Sequence, residues 1–115
     1  MSVLTQSTIA KKVSFSGVGI HTGNKVNMSV LPSTPNSGIV FKRTDLNQNN
    51  IVIPNFANVS DATLCTTVSN QFGIKVSTIE HLMAAFLGLG IDNAVVELDS
   101  QEVPILDGSA RDFVK

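Results

Sequence analysis

This sequence predicts an α+β two-layer sandwich, a largely antiparallel sheet with two helices on one face. Three observations carry that expectation. Apolar and polar residues alternate through the first two-thirds of the chain, as in strands with one buried face. Turn residues cluster between the alternating runs, at Gly17-Val18-Gly19, at His21-Thr22-Gly23-Asn24 and from Pro32 to Gly38. Near Ser77 the period then changes to that of an amphipathic helix. Strands grouped ahead of helices predict segregated layers rather than alternating βαβ units.

The elements follow in order. Residues 4–9 are a weak strand candidate. Val13 and Phe15, then Val26, Met28 and Val30, then Ile39 and Phe41 mark three clearer ones. Residues 51–53 form a short run stopped by Pro54, which suits the edge of a sheet. Residues 63–69 and 74–76 are weaker candidates. Ile79, Leu82, Met83, Phe86 and Leu87 draw the buried stripe of a helix over residues 77–87. Ser77 is the candidate N-cap, paired with Glu80 in a capping box, and Gly88 or Gly90 is the stop. The Ala-Val-Val run beginning at Ala94 predicts a central strand over residues 94–98. A turn at Asp99-Ser100-Gln101 leads to a second helix, capped by Asp107 or Ser109 and carrying Ala110, Phe113 and Val114.

Composition bounds the function. The chain has 115 residues, 43% of them hydrophobic, which is one domain with a real core rather than a disordered segment. Eight Lys and Arg against nine Asp and Glu, with no basic cluster, argue against nucleic-acid binding. Cys65 is the only cysteine, so no intrachain disulfide forms and a reducing compartment is expected. The start, Met-Ser-Val-Leu-Thr-Gln, has neither a basic leader nor an apolar run, and no stretch approaches the roughly 20 apolar residues of a membrane span. A cytoplasmic protein without a transmembrane segment is the expectation.

Residues that could carry chemistry concentrate on the first helix. Its second face holds Glu80, His81, Ala84, Ala85 and Gly88, which is small and smooth apart from one carboxylate and one imidazole. Small residues admit another body at close range. Glu80 and His81 could be a capping residue and a surface residue. They could equally be a general base beside a metal ligand, although no second His stands four residues on, where a His-Glu-x-x-His motif would need it. His21 lies in a glycine-bounded turn, where side chains are often presented to ligands. Gly17 to Gly23 could also be a phosphate loop, but a strand rather than a helix is expected after it. Cys65 has no basic neighbour and reads as a small buried hydrophobe or a lining residue.

In order along the chain, Gly17-Val18-Gly19-Ile20-His21-Thr22-Gly23, Leu64-Cys65-Thr66, Thr78-Ile79-Glu80-His81-Leu82-Met83-Ala84-Ala85, Gly88-Leu89-Gly90-Ile91-Asp92-Asn93 and the run from Glu102 to Ala110 resemble the signatures of the UDP-3-O-acyl-N-acetylglucosamine deacetylases of bacterial lipid A synthesis. The resemblance covers nearly the whole chain. It implies that residues 1–115 are the N-terminal domain of a zinc hydrolase and that a similar second domain packs on the smooth helical face. By the same resemblance Glu80 is the general base, His81 is one of three protein zinc ligands, and Leu64, Cys65 and His21 lie along the substrate and its acyl passage. The other two ligands belong to a His-Lys-x-x-Asp motif that this sequence lacks. The implied substrate is a UDP-linked glucosamine carrying a 3-O-hydroxyacyl chain, which loses its N-acetyl group. The chain alone is then expected to be inactive and to self-associate through the uncovered helix. Two alternatives stand beside this: a non-catalytic structural or binding domain, and a phosphate-binding domain built on the Gly17 to Gly23 loop.

Overall fold

A computed structural model describes residues 6–54, 59–61 and 66–104. Among them are eight strands and one helix: β1 (Val13–Val18), β2 (Lys25–Pro32), β3 (Ile39–Arg43), β4 (Ile51–Val52), β5 (Val59–Asp61), β6 (Thr67–Ser69), β7 (Lys75–Ser77), α1 (Glu80–Leu89) and β8 (Ala94–Leu98). The content is α+β and the pairing largely antiparallel, as the alternation predicts. The expected second helix at Asp107 or Ser109 lies outside the described residues.

Five strands form one sheet in the order β1-β2-β8-β3-β4. All its pairs are antiparallel except β3 with β8. Its register explains the alternation. Val13 faces Val30, Val30 faces Val96, Val96 faces Phe41 and Phe41 faces Val52, so one apolar row crosses all five strands. Val30, Val96, Phe41 and Val52 are fully buried. A one-residue slip in any strand would turn its share of that row to the other face. That other face is polar on β1 and β2, where the Ser14 and Ser29 hydroxyls meet at 3.0 Å and Ser16 Oγ donates to Asn27 Oδ1 at 2.9 Å. β8 is central, as its Ala-Val-Val run predicts, and β4 before Pro54 is an edge.

β5, β6 and β7 form a separate three-stranded antiparallel sheet, which alternation did not predict as a separate body. Its strands are too short to show a period. Val68 and Val76 from this sheet join Phe41, Val96, Ile79, Leu82 and Phe86 in one continuous apolar core. Residues 6–9 form no strand; they are tied to the ends of other elements, with Asp92 and Asn93 N–H both donating to Ser7 O.

The helix starts later than expected and stops at Gly90, the later of the two expected stops. It begins at Glu80, with Ile79 as its N-cap and no side-chain cap. Ser77 belongs to β7, where its N–H donates to Gln101 O at 2.7 Å, so the expected capping box does not form. Gly90 ends the helix in the left-handed region at φ 71°, and Ile91 N–H reaches back to Phe86 O at 2.9 Å. Because the helix runs on to Leu89, its buried arc centres on Leu82 and Phe86 with Leu89 at its margin. Leu87, about 140° round from Leu82 at about 100° per residue, is swung out to 84% exposure instead of packing. Met83 is only half-buried.

The packing predicts a sharp contrast. Phe86→Ala should cost about 3–5 kcal/mol of unfolding free energy, whereas Leu87→Ala should change it by less than about 0.5 kcal/mol, both read from urea denaturation. Equal effects would mean the helix is phased differently.

Candidate active site

Three chain segments meet at the start of α1. The first is the hairpin loop between β1 and β2. Gly19 N–H donates to Asn24 O at 2.9 Å and Gly23 N–H to Gly19 O at 2.9 Å, with Gly23 at φ 72° where a side chain would be strained. This loop carries His21, exposed, at its tip. An antiparallel strand follows it, so the phosphate-loop alternative lacks the helix whose N-terminus would cradle the anion. Gly17 and Val18 belong to β1 rather than to the turn.

The second segment is the passage from β7 into α1. Thr78, a β-branched residue, turns the chain at φ 62°, a conformation that costs on the order of 1–3 kcal/mol and persists only where neighbours hold it. Its N–H donates to Thr66 O at 2.8 Å. Thr66 in turn donates its N–H to Glu80 Oε2 at 3.1 Å. The other oxygen, Glu80 Oε1, is buried without a partner among the described residues. His81, the next residue, is exposed on the same first turn. Thr66 directly follows Leu64 and Cys65; those two predicted site residues lie outside the described residues.

The third segment is a residue whose role no local signal revealed. Glu102 is 1% exposed, and no cation pairs with it among the described residues. Its carboxylate instead gathers His21 N–H at 3.1 Å and 3.2 Å, Thr22 N–H at 2.9 Å and the Thr78 hydroxyl at 2.7 Å. Gly19 makes room for it: a Cβ there would overlap Glu102 Oε1 and stand 2.7 Å from Thr22 Oγ1. The backbone is fixed too, with Val103 N–H donating to Ser77 O at 3.0 Å. In the sequence it shows only as the acid that opens the run from Glu102 to Ala110, directly before the apolar Val103-Pro104-Ile105, with nothing to mark its partners.

Burial pushes the Glu102 carboxyl up. The hydrogen bonds from the Thr78 hydroxyl, from the Thr22 and His21 backbone and from the Thr22 side chain outweigh it and hold the group below its ordinary value. A depressed folded-state pKa stabilises the fold above the unfolded value, and that contribution is lost as pH falls through the folded value. Glu102→Gln should therefore be less stable than wild type near neutrality, with the gap narrowing once pH drops below 4.5. Urea denaturation from about pH 6 to about pH 3 measures that gap, and a constant gap would contradict the linkage.

The arrangement thus brings the predicted His21, Glu80 and His81 motifs to one corner of the fold. It presents one imidazole and one half-engaged carboxylate on the first turn of a helix. Comparison with known proteins agrees with the resemblance of the motifs. Residues 6–115 match the family described as "LpxC: UDP-3-O-acyl N-acetylglycosamine deacetylase". Curated relatives named UDP-3-O-acyl-N-acetylglucosamine deacetylase include one from Shewanella sp. (strain ANA-3), 50% identical over 112 residues. Another, from Shewanella baltica (strain OS155 / ATCC BAA-1091), is 51% identical over 112 residues. These matches cover 97% of this chain, and the chain spans 37% of the length of those relatives. The chain belongs to the UDP-3-O-acyl-N-acetylglucosamine deacetylase family.

Proposed function

We propose that this chain supplies the base and one metal ligand of a zinc-dependent hydrolase that removes the N-acetyl group from UDP-3-O-(hydroxyacyl)-N-acetylglucosamine, the committed step of lipid A synthesis. One observation carries the reading: among the described residues Glu80 Oε1 is buried and unpartnered, and His81, the next residue, is exposed on the same first turn. Buried polar atoms normally have partners, and an unfilled acceptor one residue from an exposed imidazole fits a site that takes a water.

The donors present suit zinc as far as they go. An imidazole is a usual zinc ligand, and a catalytic zinc site commonly takes three protein ligands and keeps one position open. His81 would hold the metal here. No group of three His, Cys, Asp or Glu gathers among the described residues, so the further ligands would come from the part of the protein beyond this chain. When bound, zinc supplies Lewis-acid activation of water and of the amide carbonyl. Thr66 N–H holds Glu80 Oε2 and so fixes the carboxylate plane. That leaves Oε1 to accept a proton from the water that attacks the acetamide, as a general base. His21, Leu64 and Cys65 would contact the substrate; the amide C–N bond would break, the proton taken by Glu80 would pass to the departing glucosamine nitrogen, and acetate and the free amine would be the products.

The exposed side of α1, with His81, Ala84, Leu87 and Gly88, is where a second domain would dock in this reading. The chain alone would then be inactive and prone to pair with itself through that side. No helix among the described residues is long and apolar enough to cross a membrane, which accords with a cytoplasmic enzyme acting on a nucleotide sugar.

In the full-length protein, Glu80→Gln should lower deacetylation by at least about 100-fold while zinc content stays near one per protein. His81→Ala should lose the zinc, read by elemental analysis. Near wild-type acetate release from Glu80→Gln would remove the base assignment. The 115-residue chain alone should hold no chelator-resistant zinc. Ala84→Glu should lower both self-association of this chain, seen by sedimentation, and activity of the full-length protein.

A further inference from the structure

We infer that Glu102 is a positioning residue for this site, locking the loop that carries His21 to the turn that launches α1 and its Glu80 and His81. The inference rests on the proposed hydrolase reading for its kinetic consequence, though not for its geometry.

A carboxylate at 1% exposure with no cation paired to it among the described residues is an expensive way to fill a core. An apolar side chain of similar size would pack there at less cost, so the charge calls for a reason beyond filling. Its partners supply one. They come from two segments some 60 residues apart in sequence, the His21-Thr22 backbone and the Thr78 hydroxyl, and both flank predicted site residues. Glu102 Oε2 alone is shared between His21 N–H at 3.1 Å and Thr78 Oγ1 at 2.7 Å, which makes a single atom the joint between the two.

The surroundings are shaped to this joint. Gly19 is buried and has no side chain where a Cβ would collide with the carboxylate. Thr78 accepts a left-handed backbone that places its hydroxyl on Glu102 and its N–H on Thr66 O. The end of β7 bridges Glu102 in parallel, so the acid and Thr78 are anchored to adjacent backbone. From Thr78 the constraint passes along two bonds, to Glu80, whose Oε2 is held by the same Thr66. Glu102 itself is sealed from solvent and touches no substrate, so it acts through the groups that it holds.

The test uses the full-length protein with Glu102→Gln, Thr78→Val, Thr78→Ser and the Glu102→Gln/Thr78→Val double variant. Glu102→Gln and Thr78→Val should each lower kcat by about 10–100-fold with KM within about threefold, because misplacing a base costs turnover more than binding. Thr78→Ser, which keeps the hydroxyl, should recover most of the loss seen in Thr78→Val. The double variant should be little worse than the poorer single, as expected for groups acting as one unit. Amide hydrogen exchange at His21 and Thr22 should quicken by about 10–100-fold in Glu102→Gln, whatever the reaction catalysed. A lowered Tm with unchanged kcat, or losses that simply add in the double variant, would overturn the inference. If Glu102→Gln fails to fold, the Thr78→Val and Thr78→Ser pair decides it alone. If Glu80→Gln keeps wild-type turnover, it is the proposed base that fails, and exchange at His21 and Thr22 still decides whether Glu102 holds the loop.

Discussion

The corner that carries Glu80 and His81 depends on one buried carboxylate being satisfied by hydrogen bonds. Among the described residues Glu102 collects two backbone N–H groups and the Thr78 hydroxyl in place of a salt bridge. Hydrogen bonds to a charged group are roughly twice as strong as neutral ones, and N–H donors fixed in a loop lose little freedom on binding. The result is directional in a way that an ion pair to a long Lys side chain would not be. Remove the carboxylate and, among the described residues, the hairpin loop is left with its internal bonds among Gly19, Thr22, Gly23 and Asn24. Thr78 would likewise lose one of the two bonds that hold its left-handed backbone.

The sheet delivers that carboxylate to its place. β8 sits between β2 and β3, so its path is fixed from both sides. Just past its end, Asp99 accepts from Asn27 N–H at 2.8 Å and from Asn27 Nδ2 at 3.1 Å, which pins the turn back onto β2. The chain then pairs with β7 through Ser77 N–H to Gln101 O and Val103 N–H to Ser77 O. Glu102 lies between those two bonds. The apolar row from Val13 to Val52 therefore does more than bury area: it sets the register of β8, and the register sets where Glu102 emerges.

Those parts of the fold that repeat locally were legible in the sequence, and those made by distant partners were not. β2 showed itself because Val26, Met28 and Val30 alternate cleanly over eight residues, and β8 because its apolar run had to be covered on both sides. β5, β6 and β7 have three residues each, too few for any period, so their separate sheet was missed. Ser77 looked like a cap because its spacing to Glu80 is right; what cancels it is Gln101, which takes Ser77 N–H from 24 residues away. Leu87 matches the spacing of the helical stripe, yet it stands about 140° round from Leu82 and is turned to solvent. At the site, Glu80 and His81 stood out through the smooth face around them and through the family resemblance. Glu102 could not, since one partner, Thr78, lies 24 positions upstream and the others, His21 and Thr22, lie 81 and 80 upstream.

The missing cap on α1 belongs to the same logic. A Ser, Thr, Asp or Asn cap typically adds about 1 kcal/mol to a helix, and a first-turn Glu usually folds back to complete the box. Here Ile79 occupies the N-cap position and contributes no side-chain bond. Glu80 turns instead to Thr66, on a neighbouring strand segment, and engages it with one oxygen only. Had Ser77 capped the helix and drawn Glu80 back, the carboxylate would engage the Ser77 N–H at the helix start rather than Thr66. Placing Ser77 in β7 and bending the chain at Thr78 separates the carboxylate from that duty. Local rules of helix initiation break beside the residue proposed as the base, and departures from local consistency are expected to coincide with functional sites.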